Sequence, residues 1–74
     1  MELKVMLKNE KDVQEFVQAA NVCPEAIDLK SGAIYLDAKS LLGVMSMGMK
    51  REMQVLCSNY DPVFVQSVRK FAVA

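Results

Sequence analysis

The sequence predicts an α+β fold in which a four-stranded antiparallel sheet carries three helices on one face. The chain has 74 residues, the size of a single domain spanning 1–74. Four segments alternate apolar and polar residues, as strands with one buried face do. Three others carry apolar residues at helical spacing, giving the order β-α-β-β-α-β-α. Strands with one polar face are typical of antiparallel sheets, which can expose one face to solvent.

The first strand and the first helix are predicted on either side of Asn9. Glu2–Lys8 alternates, and its inward face carries Leu3, Val5 and Leu7. Asn9 is a favoured helix N-cap, and Asp12 stands three residues later, as in a loose capping box. The helix is predicted over Glu10–Ala20, before Pro24. Its inward face carries Val13, Phe16, Val17 and Ala20.

A β-hairpin is predicted next. Glu25–Lys30 alternates, with Ile27 and Leu29 inward. Ser31-Gly32 is a turn signal, and Ala33–Asp37 alternates again, with Ile34 and Leu36 inward. Two alternating segments joined by a short glycine-containing turn are the usual signature of a hairpin.

Two helices and one strand complete the predicted order. Ser40 is placed to cap a short helix that Gly48 ends, carrying Leu41, Leu42, Val44 and Met45. Arg51–Ser58 forms the fourth strand, with Met53, Val55 and Cys57 on one face. Asp61-Pro62 combines an N-cap with a proline at the first helical position. The final helix has an apolar stripe of Val65, Val68, Phe71 and Ala72.

The composition excludes several classes of function. Nine basic residues balance nine acidic ones, so no charge excess favours nucleic acid. No apolar run approaches the roughly 20 residues of a membrane span, so a cytoplasmic location is expected. Cys23 and Cys57 are predicted to be reduced, small and apolar in or near the core, with no metal or other cofactor. Neither an acid/base pair nor a phosphate loop is present, so no enzyme activity is expected.

One motif identifies a family resemblance. The segment 38–48, AKSLLGVMSMG, is very similar to the segment around the regulatory serine of HPr, the phosphocarrier of the bacterial sugar phosphotransferase system. Val17-Gln18 followed by Ala20 resembles the end of the first HPr helix, and Ile27-Asp28-Leu29 the strand after it. The resemblance implies the HPr fold, an open-faced β-sandwich of the predicted element order.

The sequence departs from HPr where the family carries its active histidine. The ungapped register places Asn9 at that position, and the chain contains no histidine. A carboxamide is too poor a nucleophile to exchange a phosphoryl group, so this chain cannot carry phosphate as HPr does. Lys11 stands where the family has an arginine, so Asn9 and Lys11 are a possible anion site. Alternatively, Asn9 only caps the helix and Lys11 is a solvated charge.

Ser40 is the second functional candidate. The resemblance implies that Ser40 is phosphorylated by HPr kinase, and that partner proteins dock beside it on an apolar patch of Leu41, Leu42, Met45 and Met47. A phosphate at a helix N-cap meets free N–H groups and the positive end of the helix dipole. Alternatively, Ser40 only caps the helix and the Leu/Met stripe is core. Ser46 is expected to make a structural hydrogen bond.

Three functions follow from the resemblance. The first is a regulatory protein like the histidine-less HPr paralogues of carbon catabolite repression (Crh-type), phosphorylated on Ser40 and bound to a LacI-type transcription regulator. The second is an HPr-fold binding module without phosphorylation, which holds a protein partner or a second copy of itself as a homodimer. The third is a phosphotransfer component that uses Cys23 or Ser40 as the carrier.

Overall fold

A computed structural model describes residues 3–47 and 49–73. The strands are β1 (Leu3–Met6), β2 (Ile27–Ser31), β3 (Ile34–Asp37) and β4 (Glu52–Cys57). The helices are α1 (Glu10–Val22), α2 (Leu41–Met47) and α3 (Pro62–Val68), and a short 3₁₀ helix (Arg69–Phe71) follows α3. The element order is the predicted one. Glu2, the predicted start of the first strand, and Gly48, the predicted stop of the second helix, lie outside the described residues.

The four strands form one antiparallel sheet in the order β1-β4-β2-β3, which confirms the predicted fold class. Val55 in β4 lies opposite Leu3 on one side and Leu29 on the other. The chain after α3 returns along the outer edge of β1, where Ala72 pairs with Val5. None of the helices in the described ranges is long and apolar enough to cross a membrane.

The core lies between one face of the sheet and the helices. Phe16 in α1 is completely buried, with its ring centroid 5.9 Å from that of Phe64 and 6.4 Å from that of Phe71. Both ring pairs are edge-on, the geometry that aromatic quadrupoles favour. The predicted inward residues of the first two strands and the first helix are buried. These are Leu3, Val5, Leu7, Val13, Phe16, Val17, Ala20, Ile27 and Leu29.

The helix ends differ from the prediction. α1 continues to Val22, two residues beyond the predicted Ala20, and Cys23 takes the extended conformation that Pro24 requires of its predecessor. At the chain's end, the predicted helix stops at Val68, and Ala72 is an exposed partner of β1 rather than a helical core residue. Phe64 fills the core position on α3, whereas the predicted Val65 is only half-buried.

Ile34 was predicted to point into the core and is 52% exposed. It alternates correctly with Tyr35, but it lies beside the turn on the outermost strand, where the helices do not cover the sheet. Leu36, two residues on, is half-buried. The alternation therefore predicted the face of the sheet correctly and the burial wrongly.

The β2–β3 turn needs its glycine. Ser31 pairs with Ile34, so Gly32 and Ala33 form a two-residue loop, and Gly32 has φ of +60°. A positive φ at the first central residue alone is the pattern of a type II′ turn, whose twist suits a hairpin.

Lys50 is the non-glycine residue with positive φ, at 64°, among the residues described. Its N–H donates to the Leu7 carbonyl at 2.8 Å, which ties the segment after α2 to the end of β1. A side chain in this left-handed region crowds the following carbonyl, at a cost of roughly 1–2 kcal/mol.

Replacing Lys50 with glycine should therefore stabilise the protein. We expect Lys50→Gly to raise the free energy of unfolding by about 0.5–1 kcal/mol, because glycine removes the steric cost but adds unfolded-state entropy. Urea denaturation measures the change. Lys50→Ala removes the same charge and keeps the steric cost, so it should show no gain. Equal stabilisation by both variants would contradict this account.

Candidate functional site

The N-terminus of α1 is capped by neighbouring side chains. Asn9 has the extended backbone of an N-cap, and its Oδ1 accepts the Asp12 N–H at 2.9 Å. Asp12 in turn accepts the Lys8 N–H on Oδ2 at 3.0 Å. These two bonds satisfy one N–H of the first turn and fix the chain as it enters the helix.

The charges at this helix start are unfavourable for an anion. Glu10 and Asp12 lie in the first turn, where carboxylates already complement the positive end of the helix dipole. Lys11 is exposed in the same turn. The geometry accounts for Asn9 as a helix cap, and anion binding by Asn9 and Lys11 stays a prediction.

Ser40 caps α2 and is exposed. Its Oγ accepts the Gly43 N–H at 3.2 Å, and its carbonyl accepts the Val44 N–H at 3.0 Å. The first turn of α2 contains no acidic residue, in contrast to α1. The hydroxyl is thus held at the surface by the backbone of the helix that it begins.

Gly43 makes room for this cap. A Cβ at position 43 would lie 3.1 Å from the Ser40 Oγ and 3.3 Å from its Cβ, closer than side chains normally approach. The glycine that weakens α2 in intrinsic propensity is thus the residue that lets Ser40 reach the backbone. Ser46 donates its hydroxyl to the Gly43 carbonyl at 2.7 Å, which confirms its predicted structural hydrogen bond.

The loop before Ser40 is anchored to the end of α1. The Lys39 ammonium donates to the Cys23 carbonyl at 2.8 Å, where a cation complements the negative end of the helix dipole. The Asn21 carboxamide donates to the Lys39 carbonyl at 3.1 Å and to the Val17 carbonyl at 2.9 Å. Sequence reasoning missed these roles, because the partners are 16 and 18 residues apart and no local spacing signals them.

The predicted apolar patch is smaller than expected. Leu42 is 83% exposed and Leu41 is 42% exposed, while Met45 is half-buried. Met47 is buried and belongs to the core, because it lies on the same side of α2 as Val44. The alternative that the Leu/Met stripe is core is therefore wrong for Leu42. The exposed surface, which we call the α2 surface, consists of Ser40, Leu41, Leu42 and the outer part of Met45.

The two thiols are free and poorly placed for nucleophilic chemistry. Cys23 is buried, with its Sγ 3.9 Å from Asp61 Oδ2. Cys57 is half-buried, and burial raises its pKa, with smaller contributions in the same direction from Cys23 and Glu25. A raised pKa leaves little thiolate, the nucleophilic form, near neutral pH.

The comparisons with known proteins bear on the fold. No protein-family model matches the chain, and no curated protein matches it. Among solved structures it is similar to the crystal structure of HPr-C-His from Thermoanaerobacter tengcongensis, with a TM-score of 0.76 and 19% identity. The match covers 95% of this chain and 88% of that one. The chain therefore has the HPr-like fold that its resemblance implies.

The capping role of Asn9 is testable by substitution. Asn9→Ala should lower the free energy of unfolding by about 1 kcal/mol, because the Asp12 N–H loses its acceptor. Asn9→Ser keeps an acceptor and should cost only a few tenths of a kcal/mol. Urea denaturation separates the two variants. Equal stability of Asn9→Ala and the parent protein would show that this bond does not cap the helix.

Alkylation tests the environment of Cys57. Because its pKa lies above the ordinary 9.0, its reaction with iodoacetamide at pH 8 should be slower than that of a cysteine in an unfolded peptide. The rate should still be rising when the pH passes 9.0. Peptide mapping distinguishes Cys57 from Cys23, and the urea-unfolded chain is the reference. A rate that levels off below pH 9.0 would contradict a raised pKa.

Proposed function

We propose that this chain is a regulatory, protein-interacting HPr-like protein that is phosphorylated on Ser40 rather than on a histidine. The observation that carries the proposal is the exposure of Ser40 at the start of α2, beside exposed Leu41 and Leu42. The chain has no histidine, so the phosphocarrier chemistry of HPr has no acceptor here. The proposal implies a cytoplasmic bacterial protein that is not an enzyme.

The surroundings of Ser40 suit the product of phosphorylation. A phosphoserine adds close to two negative charges at the positive end of a helix dipole. The first turn of α2 has no carboxylate to repel it. The Ser40 Oγ accepts one bond, from the Gly43 N–H, in the part of the chain that the structure describes, and this bond has to adjust when the oxygen takes up a phosphoryl group.

The anchoring of the preceding loop favours a change of surface charge over a change of fold. Lys39 is held by the Cys23 carbonyl and Asn21 holds the Lys39 carbonyl, so the loop has two ties that do not involve the Ser40 hydroxyl. The phosphate would therefore be presented to a partner on a fixed backbone. Charged hydrogen bonds from a partner's arginine side chains are the contacts that such a phosphate gains.

The apolar neighbours supply the rest of the contact. Leu42 is 83% exposed, and leucine side chains in water gain free energy when a partner covers them. The α2 surface thus combines exposed leucine side chains with a serine that can gain charge. In the HPr family this is where regulators dock, which supports a LacI-type transcription regulator as the partner and HPr kinase as the modifying enzyme.

The second candidate is a binding module that uses the same α2 surface without phosphorylation. The exposure of Leu42 supports it equally, because an apolar contact does not require a phosphate. The third function, phosphotransfer with Cys23 or Ser40 as the carrier, is disfavoured for Cys23 because that thiol is buried.

Incubation with HPr kinase and ATP separates the first two functions. We expect intact-mass analysis to show one added phosphate and peptide mapping to place it on Ser40. Ser40→Ala should abolish the label. Ser46→Ala should retain it, because the Ser46 hydroxyl is engaged with the Gly43 carbonyl. Authentic HPr in the same tube verifies the kinase.

The regulator then provides the functional test. A LacI-type regulator should be retained by the phosphorylated protein and at least about tenfold less by the unphosphorylated one. Leu42→Lys should weaken the complex without preventing phosphorylation. If HPr is labelled and this chain is not, the phosphorylation proposal fails and the unmodified binding module is favoured.

A further inference from the structure

The two edges of the sheet differ in their protection. Along β1, the Val73 N–H donates to the Lys4 carbonyl at 2.8 Å, so the end of the chain occupies that edge. In the described part of the chain, no segment pairs with β3 on the side away from β2. β3 is Ile34–Asp37 and lacks the lysine or proline with which proteins usually block an open edge.

The hairpin register fixes which backbone groups face that edge. Ser31 and Ile34 close the two-residue turn, and the Ala38 N–H donates to the Ile27 carbonyl at 2.9 Å. Because backbone groups alternate in direction along an antiparallel strand, Tyr35 directs both its N–H and its carbonyl outward. The Asp37 carbonyl already accepts the Ser40 N–H at 3.1 Å. Tyr35 is therefore the centre of the open edge.

The side chains at this edge are apolar or aromatic on both faces of the sheet. Ile34 is 52% exposed on the core-facing side and Tyr35 is 59% exposed on the other. The Lys30 ammonium lies 5.4 Å from the centroid of the Tyr35 ring, so this lysine sits over the ring. The edge thus offers a backbone template and apolar surface together.

We propose that a second copy of this chain binds here, with the two β3 strands antiparallel about a two-fold axis beside Tyr35. Tyr35 and the partner's Tyr35 exchange two N–H···O bonds in this register. Ile34 then lies opposite the partner's Leu36 on both sides of the axis, an apolar pairing. Such self-complementarity is what a two-fold interface requires.

Charge does not oppose this pairing. Asp37 comes opposite the partner's Ala33, so no like charges meet between the two β3 strands. The formal net charge of the chain is zero, so two copies do not repel each other at long range. A second copy is therefore favoured over a charged peptide, since the edge has no charge pattern that would select one.

The dimer should be weak. β3 has four residues, so the contact falls below the roughly 1,200 Å² of standard stable interfaces. A dissociation constant on the order of 10 µM to 1 mM fits a contact of this size.

Sedimentation equilibrium of the full chain, from about 5 µM to about 2 mM, tests the proposal. We expect a reversible monomer–dimer equilibrium. Ile34→Lys places a charge on the apolar side of the edge and should raise the dissociation constant at least about tenfold. Tyr35→Pro should also raise the dissociation constant, because it removes the N–H that faces the open edge. Proline is tolerated at such a position on an edge strand. Circular dichroism verifies folding, and Ile34→Lys carries the test if the proline variant unfolds.

A matched control and a cross-link locate the contact. Val63→Lys changes an exposed valine on α3 and should leave dimerisation unchanged. Photo-oxidation with a ruthenium complex and persulfate should join the two copies through dityrosine. Tyr35→Phe should abolish this product and Tyr60→Phe should retain it.

Several outcomes would overturn the proposal. A chain that stays monomeric throughout the concentration range has no such interface. A dimer that resists Ile34→Lys but is lost in Leu42→Lys uses the α2 surface instead. A dimer that gives no dityrosine through Tyr35 lacks the proposed two-fold register.

Discussion

The packing of Phe16 against Phe64 and Phe71 holds the helical layer on the sheet. These rings come from α1, α3 and the 3₁₀ helix, so one buried cluster joins three parts of the helical layer. A domain of this size buries only about 60% of its unfolded surface, so few other residues can replace such a cluster. The position of α1 therefore determines where the neighbouring loops lie.

The position of α1 in turn sets the positions of the two candidate sites, one at each of its ends. Asn9 and Asp12 fix its first turn. At its other end, the Cys23 carbonyl accepts the Lys39 ammonium, and the Asn21 carboxamide donates to the Lys39 carbonyl. Ser40 follows Lys39 directly, so its position is set by a helix to which it does not belong. The Ser40 side chain is exposed and belongs to the surface rather than to the core.

The sequence predicted the element order, the sheet and most of the core, because period-2 and period-3.6 patterns report which face of an element is apolar. Burial also depends on what lies opposite that face. Ile34 and Leu42 have core-like side chains and are exposed, whereas Met47 and Phe64 are buried, the latter against Phe16 of α1. The bonds that join Lys39 to Cys23 and Asn21 at the end of α1 are likewise long-range contacts. The local sequence pattern could not predict these contacts, because it carries no information about residues distant in the sequence.

The starts of α1 and α2 differ in the charges that surround them. At α1, Asn9 caps the helix, and the carboxylates of Glu10 and Asp12 complement the helix dipole. At α2, the first turn has no carboxylate and begins with an exposed hydroxyl. Under the proposed function, an added phosphate would meet two carboxylates at the first start and none in the first turn of the second. The distribution of charge between the two helix starts thus supports the proposed modification of Ser40.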